Sequence, residues 1–370
     1  MNHPILNFLN RQETTLCPPH PKLTSEVVVD EAVLEVCRTF DYDFTGRSFF
    51  EIPAFSAPRT DWSIGLIVGP SGSGKTQLLR HHFSIPERLD WPRDRALVSL
   101  MPDDPQGRLM GAGLNSIPSW CKPFHVLSNG EQFRAEIARR LTDGAVFDEF
   151  TSVVDRDVAK SCAYATQRFI RSRGFKRVIF ATCHSDVEEW LQPDWVFDTG
   201  TGGLHPRDCL CRPRIELHVH KTTPAAWGMF RKHHYLTEDM NLSARCFLAT
   251  WDKKVVGFAS ALAFPNGNFK NAWREHRTVV LPDFQGLGIG VRLSDFVAGT
   301  FLSAGCRYFS KTSHPRMGGY RENSPFWKAT SKNRKSRPDY AYGGTTKEDG
   351  HKKAHAARVC FSHEFCSPTE

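Results

Sequence analysis

The sequence predicts two consecutive α/β domains, the first built on a mostly parallel sheet and the second of mixed α/β type. The chain has 370 residues, more than one hydrophobic core usually spans. Apolar runs that suit strands alternate with helix-like segments throughout. Two glycine-rich turns, at 69–76 and 285–290, each follow an apolar run and precede a helix-like segment. We expect one domain at 1–205, a linker rich in Gly, Pro and Arg at 206–213, and a second domain at 214–370.

Apolar runs rich in β-branched and aromatic residues predict the strands of the first domain. Short strands are expected within 26–44 and 48–55, and buried strands within 63–68, 95–100, 143–150 and 175–184. A helix is predicted over 128–142. This alternation indicates a mostly parallel sheet.

A second alternation of strands and helices begins after the linker. Strands are expected within 215–220, 244–252, 255–264, 276–282, 306–313 and 358–365, with helices around 225–236 and from about Gly288 onward. The polar, basic stretch 328–357 is expected to be a long loop.

Composition is that of a soluble globular protein, with 40% apolar and 24% charged residues. No run approaches the roughly 18 apolar residues of a membrane helix. The first fifteen residues lack the pattern of a secretory signal. Eleven cysteines are scattered without a disulfide framework. We therefore expect a cytoplasmic protein with free thiols and no membrane partner.

The positive charge is concentrated in the second part of the chain. From Arg212 onward there are 25 Lys and Arg against 13 Asp and Glu, whereas the residues before it carry 23 against 27. A surplus of this size favours a polyanionic partner such as DNA or RNA. Aromatic residues that suit base stacking lie among the basic ones. They are Trp227, Tyr235, Trp273, Tyr320 and Trp327.

The first glycine-rich turn reads GPSGSGKT and matches the phosphate-binding pattern G-x-x-x-x-G-K-[ST] between a strand and a helix. Its glycines let backbone N–H groups point at phosphate oxygens, and the following helix N-terminus adds partial positive charge. Lys75 is expected to reach the β- and γ-phosphates, and Thr76 to hold Mg²⁺. The residues expected to contact the nucleotide are Gly69, Pro70, Ser71, Gly72, Ser73, Gly74, Lys75 and Thr76.

Further residues follow the turn in a characteristic order. Asp148 ends an apolar strand and suits Mg²⁺ coordination, and its neighbour Glu149 suits polarising an attacking water. The segment LSNGEQ opens a helix whose N-terminal amides suit a γ-phosphate. The segment SVVDR (152–156) follows the acidic strand, and ATCHS (181–185) ends the next predicted strand.

On these motifs, residues 26 to about 200 resemble an ABC-type ATPase. Lys75 and Thr76 match its Walker A motif, while Asp148 and Glu149 match its Walker B motif and catalytic glutamate. Ser128 and Gly130 match the signature motif, Asp155 the D-loop, and His184 the switch histidine. Asn129 stands where the family usually has glycine.

The resemblance implies ATP and Mg²⁺ as ligands and a head-to-tail homodimer through the ABC domains, with ATP held at the interface. Only 53 positions separate Lys75 from Ser128, which is short for a transporter-type cassette. The chain is more similar to the soluble ABC ATPases of DNA repair and chromosome maintenance. Gln106 is the candidate for the glutamine that senses Mg²⁺.

The second glycine-rich turn, LPDFQGLGIG, lies between a predicted strand and a predicted helix, a combination that binds diphosphate. Gln285, Gly288 and Gly290 meet the pattern [QR]-x-x-G-x-[GA], so residues from about 214 to 366 resemble a GNAT acyltransferase. The resemblance implies acetyl-CoA, or another acyl-CoA, held by the turn. The residues expected to contact it are Val280, Leu281, Gln285, Gly286, Leu287, Gly288, Ile289 and Gly290.

In this family an amine attacks the thioester carbonyl, whose oxygen is polarised by a backbone N–H, here that of Val280 or Leu281. A base takes the amine proton and an acid protonates the leaving thiolate. Glu275 and His234 are the candidate bases. Near Asn323 the family's tyrosine is replaced by phenylalanine and tryptophan, so Tyr320 is the candidate acid.

Three functions remain open on the sequence. The first is an acyltransferase that modifies a nucleic-acid base, with the ABC dimer as an ATP-gated clamp. The second is an acetyltransferase of a protein or small-molecule amine, regulated by the ATPase. The third is a non-catalytic nucleic-acid-binding ATPase whose GNAT fold senses CoA.

Overall fold

A computed structural model of the chain describes residues 22–59, 61–85, 87, 89–206, 211, 213–234, 238–265, 269–337 and 358–366. We call residues 22–206 the N-terminal half and residues 213–366 the C-terminal half. Most of the expected linker and residues 338–357 of the expected loop lie outside the described residues, so the domain boundaries stay a prediction.

The helices and strands of the N-terminal half come in the following order. They are β1 (Lys22–Glu26), α1 (Glu31–Phe40), β2 (Arg47–Glu51), β3 (Ile64–Val68), α2 (Lys75–His82), α3 (Pro105–Gly111), α4 (Ile117–Trp120), α5 (Asn129–Arg140), β4 (Val146–Phe147), α6 (Arg156–Arg173), β5 (Val178–Thr182), α7 (Glu188–Leu191), β6 (Trp195–Asp198) and β7 (Gly203–Pro206).

The main sheet of this half has the strand order β4-β5-β3-β6-β7. The first four strands are parallel, and β7 is antiparallel to β6. The prediction of a mostly parallel sheet is therefore confirmed. β3 and β5 are almost completely buried, as is typical of strands covered on both faces. Because the strands are parallel, the segments after β3, β4 and β5 meet at one edge of the sheet.

The C-terminal half follows with these elements. They are β8 (His218–Thr222), β9 (Arg245–Trp251), β10 (Lys254–Ala263), β11 (Ala272–Val280), α8 (Ile289–Ser303), β12 (Arg307–Thr312), α9 (Pro315–Asn323), β13 (Trp327–Ala329), β14 (Lys335–Arg337) and β15 (Arg358–Phe365).

The sheet of this half has the order β13-β15-β12-β11-β10-β9-β8, with β14 also paired to β15. All neighbouring pairs are antiparallel except β11 and β12, which are parallel. This mixed sheet confirms the predicted fold class. No helix in the described part of the chain has the length and apolar character that crossing a bilayer requires.

Four predicted elements are wrong. The expected loop at 328–357 contains the end of β13 and all of β14 in its described part. The run at 26–44 contains helix α1, which begins where the Asp30 carboxylate, as the N-cap, accepts the Val33 N–H at 3.0 Å. The run at 95–100 forms a 3₁₀ turn, with the Leu97 N–H donating to the Lys122 carbonyl instead of a strand. The helix expected at 225–236 is two 3₁₀ turns that flank Phe230.

The two halves share a continuous apolar core. Trp190 of α7 lies 5.7 Å from Trp251 of β9, measured between ring centroids, and Trp251 lies 6.1 Å from Phe284. At the rim of this contact, Asp157 of α6 pairs with Lys254 of β10 at 2.5 Å. Helix α6 of the N-terminal half therefore packs directly on the C-terminal half.

Candidate functional site

The first glycine-rich turn has the backbone geometry that its sequence predicts. Gly72 and Gly74 have φ angles of 80° and 87°, which glycine adopts without steric cost. Gly69 approaches Thr199 so closely that a Cβ would lie 2.0 Å from its hydroxyl oxygen. The Lys75 ammonium donates to the carbonyl oxygens of Gly69 and Pro70, at 2.8 and 2.7 Å. The lysine therefore lies over the turn, where a phosphate could exchange for these carbonyls.

The acidic pair lies beside this turn. The Thr76 hydroxyl donates to the Asp148 carboxylate at 2.7 Å, and the other Asp148 oxygen accepts the Glu149 N–H at 2.9 Å. Glu149 is exposed and has a φ of 51°, a strained value for a non-glycine residue. A hydroxyl next to a carboxylate offers the oxygen ligands that Mg²⁺ prefers. The residues present therefore fit a magnesium ion.

The switch-histidine candidate lies at the same edge of the sheet. His184 follows β5, and its Nδ1 atom is 3.4 Å from the Thr151 hydroxyl. Burial, and then the positive charge of Arg156, lower the pKa of His184. The imidazole is therefore neutral at pH 7 and can accept a hydrogen bond.

The signature and D-loop candidates lie next to each other. Ser128 caps α5 through a reciprocal capping box with Glu131, and Asp155 caps α6 by accepting the N–H groups of Asp157 and Val158. A Cβ on Gly130 would lie 3.5 Å from Val158. Both motifs therefore meet at the start of α6.

Thr76, Asp148 and His184 lie at one edge of the sheet, which we call the nucleotide edge. Gln106 does not lie near this edge, so its assignment to Mg²⁺ is wrong. It is exposed on α3, two residues from Asp104, which pairs with Arg173 at the C-terminal end of α6. Helix α6 has 18 residues and begins at the nucleotide edge, so its other end is roughly 27 Å away. Sequence spacing could not reveal this, because Gln106 lies outside any strand end.

The second candidate site lies where β11 and β12 part. The two strands pair only from Ala272 to Arg274 of β11, while β11 continues to Val280. Next to this gap lies a cavity of ≈ 530 Å³. The glycine-rich turn and His234 border it. Six of the eight expected coenzyme residues border it, together with one candidate base; Leu281 and Leu287 do not.

The glycine-rich turn is held by its own glutamine. The Gln285 amide donates to the Val280 carbonyl at 2.9 Å and accepts the Asn115 N–H at 3.0 Å. Gly286 and Gly288 have φ angles of 93° and 84°, and Gly288 begins α8. Leu287 and Ile289 are buried and anchor the turn, while the backbone between them faces the cavity mouth.

Of the two backbone amides expected to polarise the thioester carbonyl, that of Leu281 already donates a hydrogen bond within the sheet. The Leu281 N–H donates to the Val256 carbonyl at 3.0 Å, because the backbone pairing of β11 with β10 continues one residue beyond the strand. The assignment of Leu281 is corrected accordingly, and Val280, which borders the cavity, remains the candidate.

Glu275 does not fit the role of general base. Its side chain is only 10% exposed and pairs with Arg321 at 2.7 Å. The hydroxyls of Thr278, Ser294 and Ser310 donate to the same carboxylate. Burial alone raises the pKa of Glu275, but Arg321 and the three hydroxyls lower it overall. A carboxylate with four donors holds β11, β12, α8 and α9 together and has little basicity left for an amine.

Loss of this carboxylate is expected to destabilise the fold. Glu275→Gln leaves the buried Arg321 charge without a counter-ion, at a cost of about 3–5 kcal/mol, measured by denaturant unfolding. In the wild type, the contribution of Glu275 is present above its unfolded pKa and is lost as the pH falls through its lower folded pKa. Glu238→Gln, at the exposed pair with Arg231, is the control with little expected change. An equal loss in both variants would contradict the prediction.

Tyr320 borders the cavity and has a defined partner. Its hydroxyl donates to Asp295 of α8, which also accepts the indole N–H of Trp327 at 2.8 Å. Burial, and then the hydrogen bond to Asp295, raise the pKa of Tyr320. The phenol therefore keeps its proton at neutral pH, as a proton donor requires.

Several histidines lie in or near the cavity. His233 and His234 border it, and His234 stacks edge-on against Trp227 at 5.6 Å. His276 is the extra residue of a bulge in β11. His314, which sequence reasoning missed, begins α9, and burial followed by the charge of Arg316 lowers its pKa to about 4. Its position just before Pro315, at a helix start, was the available signal.

The expected stacking aromatics are largely unavailable. Trp227 and Trp327 are 5% and 6% exposed and belong to the core. Tyr235 lies outside the described residues. Trp273 and Tyr320 are half-buried. A nucleic-acid surface would therefore rely more on charge than on stacking.

No protein of curated function matches the chain in sequence. Solved structures to which it is similar include a Bacillus subtilis acetyltransferase in complex with CoA, with 10% identity over 42% of this chain and 99% of that one, at a TM-score of 0.31. The ribosomal-protein-S18-alanine N-acetyltransferase of Escherichia coli has 11% identity over 42% and 97%, at 0.30. A dimeric bacterial ABC transporter cassette has 15% identity over 41% and 87%, at 0.32. Residues 220–318, within the C-terminal half, match the family model of the acetyltransferase (GNAT) family.

Proposed function

We propose that the chain is an acyl-CoA-dependent N-acyltransferase joined to an ATP-binding domain. One observation carries the acyltransferase proposal: within the residues that match the GNAT family, a glycine-rich turn at a helix N-terminus opens onto a cavity between two diverging strands. A helix N-terminus with free backbone amides suits a diphosphate, and the gap between the strands suits the extended arm that follows it.

The reaction needs few groups. A neutral amine attacks the thioester carbonyl, the N–C bond forms, and the C–S bond breaks. The Val280 N–H would polarise the carbonyl oxygen. His234 would take the proton that leaves the nitrogen, and Tyr320 would protonate the departing thiolate. Glu275 would position β11 through its buried contacts.

For the N-terminal half we propose binding and hydrolysis of ATP. Lys75 and the turn amides would hold the phosphates, and Thr76 with Asp148 would hold Mg²⁺, which when bound offsets the charge of the phosphates. Glu149 would orient the attacking water, with His184 contacting the terminal phosphate. Ser128, Gly130 and Asp155, which lie together at the start of α6, would act across a homodimer, as the resemblance to ABC-type ATPases implies.

For the acceptor we propose an amino group on DNA or RNA. The support is the concentration of positive charge from Arg212 onward, which suits a phosphate backbone. A base inside a duplex would first have to be flipped out. The ATP-dependent dimer would act as the clamp on the nucleic acid.

Transfer of labelled acetyl groups tests this function. The protein is incubated with labelled acetyl-CoA and ATP together with DNA, RNA or lysine peptides, and we expect label in the nucleic acid. Label in peptides alone would overturn the acceptor and favour a protein acetyltransferase. Bound coenzyme without any transfer would favour the non-catalytic sensor.

Tyr320→Phe is expected to slow acyl transfer by about 100-fold, because the thiolate then leaves without a proton donor. The affinity for acetyl-CoA should not change, since the hydroxyl donates to Asp295 in the resting site. Single-turnover rates and equilibrium titration measure the two quantities. An unchanged rate would assign the proton to water.

A further inference from the structure

The cavity of the candidate coenzyme site has walls from both halves of the chain. One wall is the glycine-rich turn and the end of β11. The opposite wall is helix α6 of the N-terminal half, which presents Ala165, Arg168, Phe169 and Ser172. These positions recur every three to four residues and so form one stripe of the helix. A domain that the sequence assigns to ATP thus lines the coenzyme site.

The turn is fixed against this helix. A Cβ on Gly286 would lie 2.8 Å from the Ala165 side chain and 3.5 Å from the Ser161 carbonyl oxygen. The hydrogen bond from Asn115 to Gln285 adds a second link from the N-terminal half. The distance between the turn and α6 is therefore set by packing.

Arg168 of α6 differs from its neighbours in its exposure to solvent. Every residue from Ser161 to Ile170 is buried except Arg168, which is exposed. Its guanidinium lies 5.9 Å from the Tyr164 ring. An arginine that interrupts a buried stripe at the wall of a cavity is placed to meet a ligand.

A second arginine, Arg316 at the start of α9, borders the same cavity. Its side chain is exposed at the cavity mouth, but the surrounding protein, and then the positive charge of Arg168, lower its pKa to about 10. The Asp104 carboxylate, which pairs with Arg173, offsets this lowering of the Arg316 pKa only in part. Two guanidinium groups close enough to repel each other favour an anion between them.

We propose that the coenzyme site is composite: Arg168 of the N-terminal half and Arg316 of the C-terminal half together bind phosphate groups of the acyl-CoA. A coenzyme A ester carries a diphosphate and a ribose phosphate. The turn amides bind the diphosphate, and the two arginines bind a phosphate on the opposite wall. This inference rests on the proposed acyl-CoA function and adds that the N-terminal half contributes directly to coenzyme affinity.

Equilibrium titration of the full chain with acetyl-CoA tests the composite site. Arg168→Ala is expected to raise the Kd about 10- to 100-fold, the usual loss for a hydrogen bond to a charged group, and Arg168→Lys less, because it keeps the charge. Lys160→Ala, on the same helix but away from this cavity, is the matched control with an unchanged Kd. The ATP hydrolysis rate should stay unchanged in all three variants. The Arg168→Ala deficit should shrink in an Arg316→Ala background, because the two arginines share one anion.

The outcomes separate the two levels of the proposal. If wild type does not bind acetyl-CoA, the proposed function fails. If wild type binds and Arg168→Ala binds equally well, the composite site is overturned while the function stands. If Arg168→Ala weakens nucleic-acid binding and leaves the acetyl-CoA Kd unchanged, the arginine pair belongs to the acceptor site and the inference is equally overturned.

Discussion

Gly288→Trp is expected to abolish acetyl-CoA binding, with a rise in Kd of about 100-fold or more. Gly288 begins α8 with a φ of 84°, a conformation that costs a residue with a Cβ roughly 1–2 kcal/mol. Escape from this strain would turn the backbone amides of the turn away from the diphosphate. The indole would also occupy the mouth of the turn. Calorimetry with acetyl-CoA measures the loss directly.

A matched substitution separates strain from the loss of the site. Gly305 follows the same helix with a φ of 72°, and a Cβ there meets nothing within 4 Å. Gly305→Trp therefore carries a similar backbone strain away from the turn and should bind acetyl-CoA normally. If both variants bind equally well, the turn does not hold the coenzyme. If both lose binding and show lower melting temperatures, the strain alone is responsible.

Lys75→Ala is expected to lower ATP hydrolysis by about 100-fold or more, since a fixed charge on the transferring phosphate stabilises the transition state. The two carbonyl groups that Lys75 contacts would be left without this donor. Release of phosphate from ATP measures the effect. Arg80→Ala, on the exposed side of the same helix, is the control and should hydrolyse ATP at the wild-type rate.

The same variant tests how the two halves cooperate. Acetyl-CoA binding should be unchanged in Lys75→Ala, because the candidate coenzyme cavity borders the C-terminal half of α6 and not the end at which α6 begins. Acyl transfer to nucleic acid should fall if ATP closes the clamp. Transfer at the full rate would show that the ATPase is not needed for acceptor capture. Nucleosides from cells that express wild type or the Lys75→Ala, Gly288→Trp double variant, compared by mass spectrometry, extend this test to the cell.

The backbone conformation of short segments could be predicted from the sequence. Both glycine-rich turns have the positive φ angles that their glycines allow, and each leads into the expected helix. The buried strands with long apolar runs were also predicted, because period and side-chain type are properties of a few consecutive residues. Helix α1 was missed although its Asp30 cap lies in the sequence, because the valines around it favour strands.

The roles of side chains that depend on residues remote along the chain could not be predicted from the sequence. Glu275 was expected to be a base because it is an acid near the right strand, yet Arg321, 46 positions later, makes it a structural ion pair. Gln106 lies in a plausible motif, but it is exposed near the C-terminal end of α6, away from the nucleotide edge. Arg168 gave no signal, because its proposed ligand site belongs to residues more than a hundred positions away.

The sequence by itself determined the two α/β sheets, the two glycine-rich turns and the basic character of the C-terminal half. These depend on short segments and on composition, which act through backbone propensity and net charge. Only the tertiary structure decided which charged side chains are buried and paired, which remain open to a ligand, and that helix α6 borders the candidate coenzyme cavity. The physical reason is that burial and pairing follow from packing between segments that are remote along the chain, and no local pattern specifies that packing.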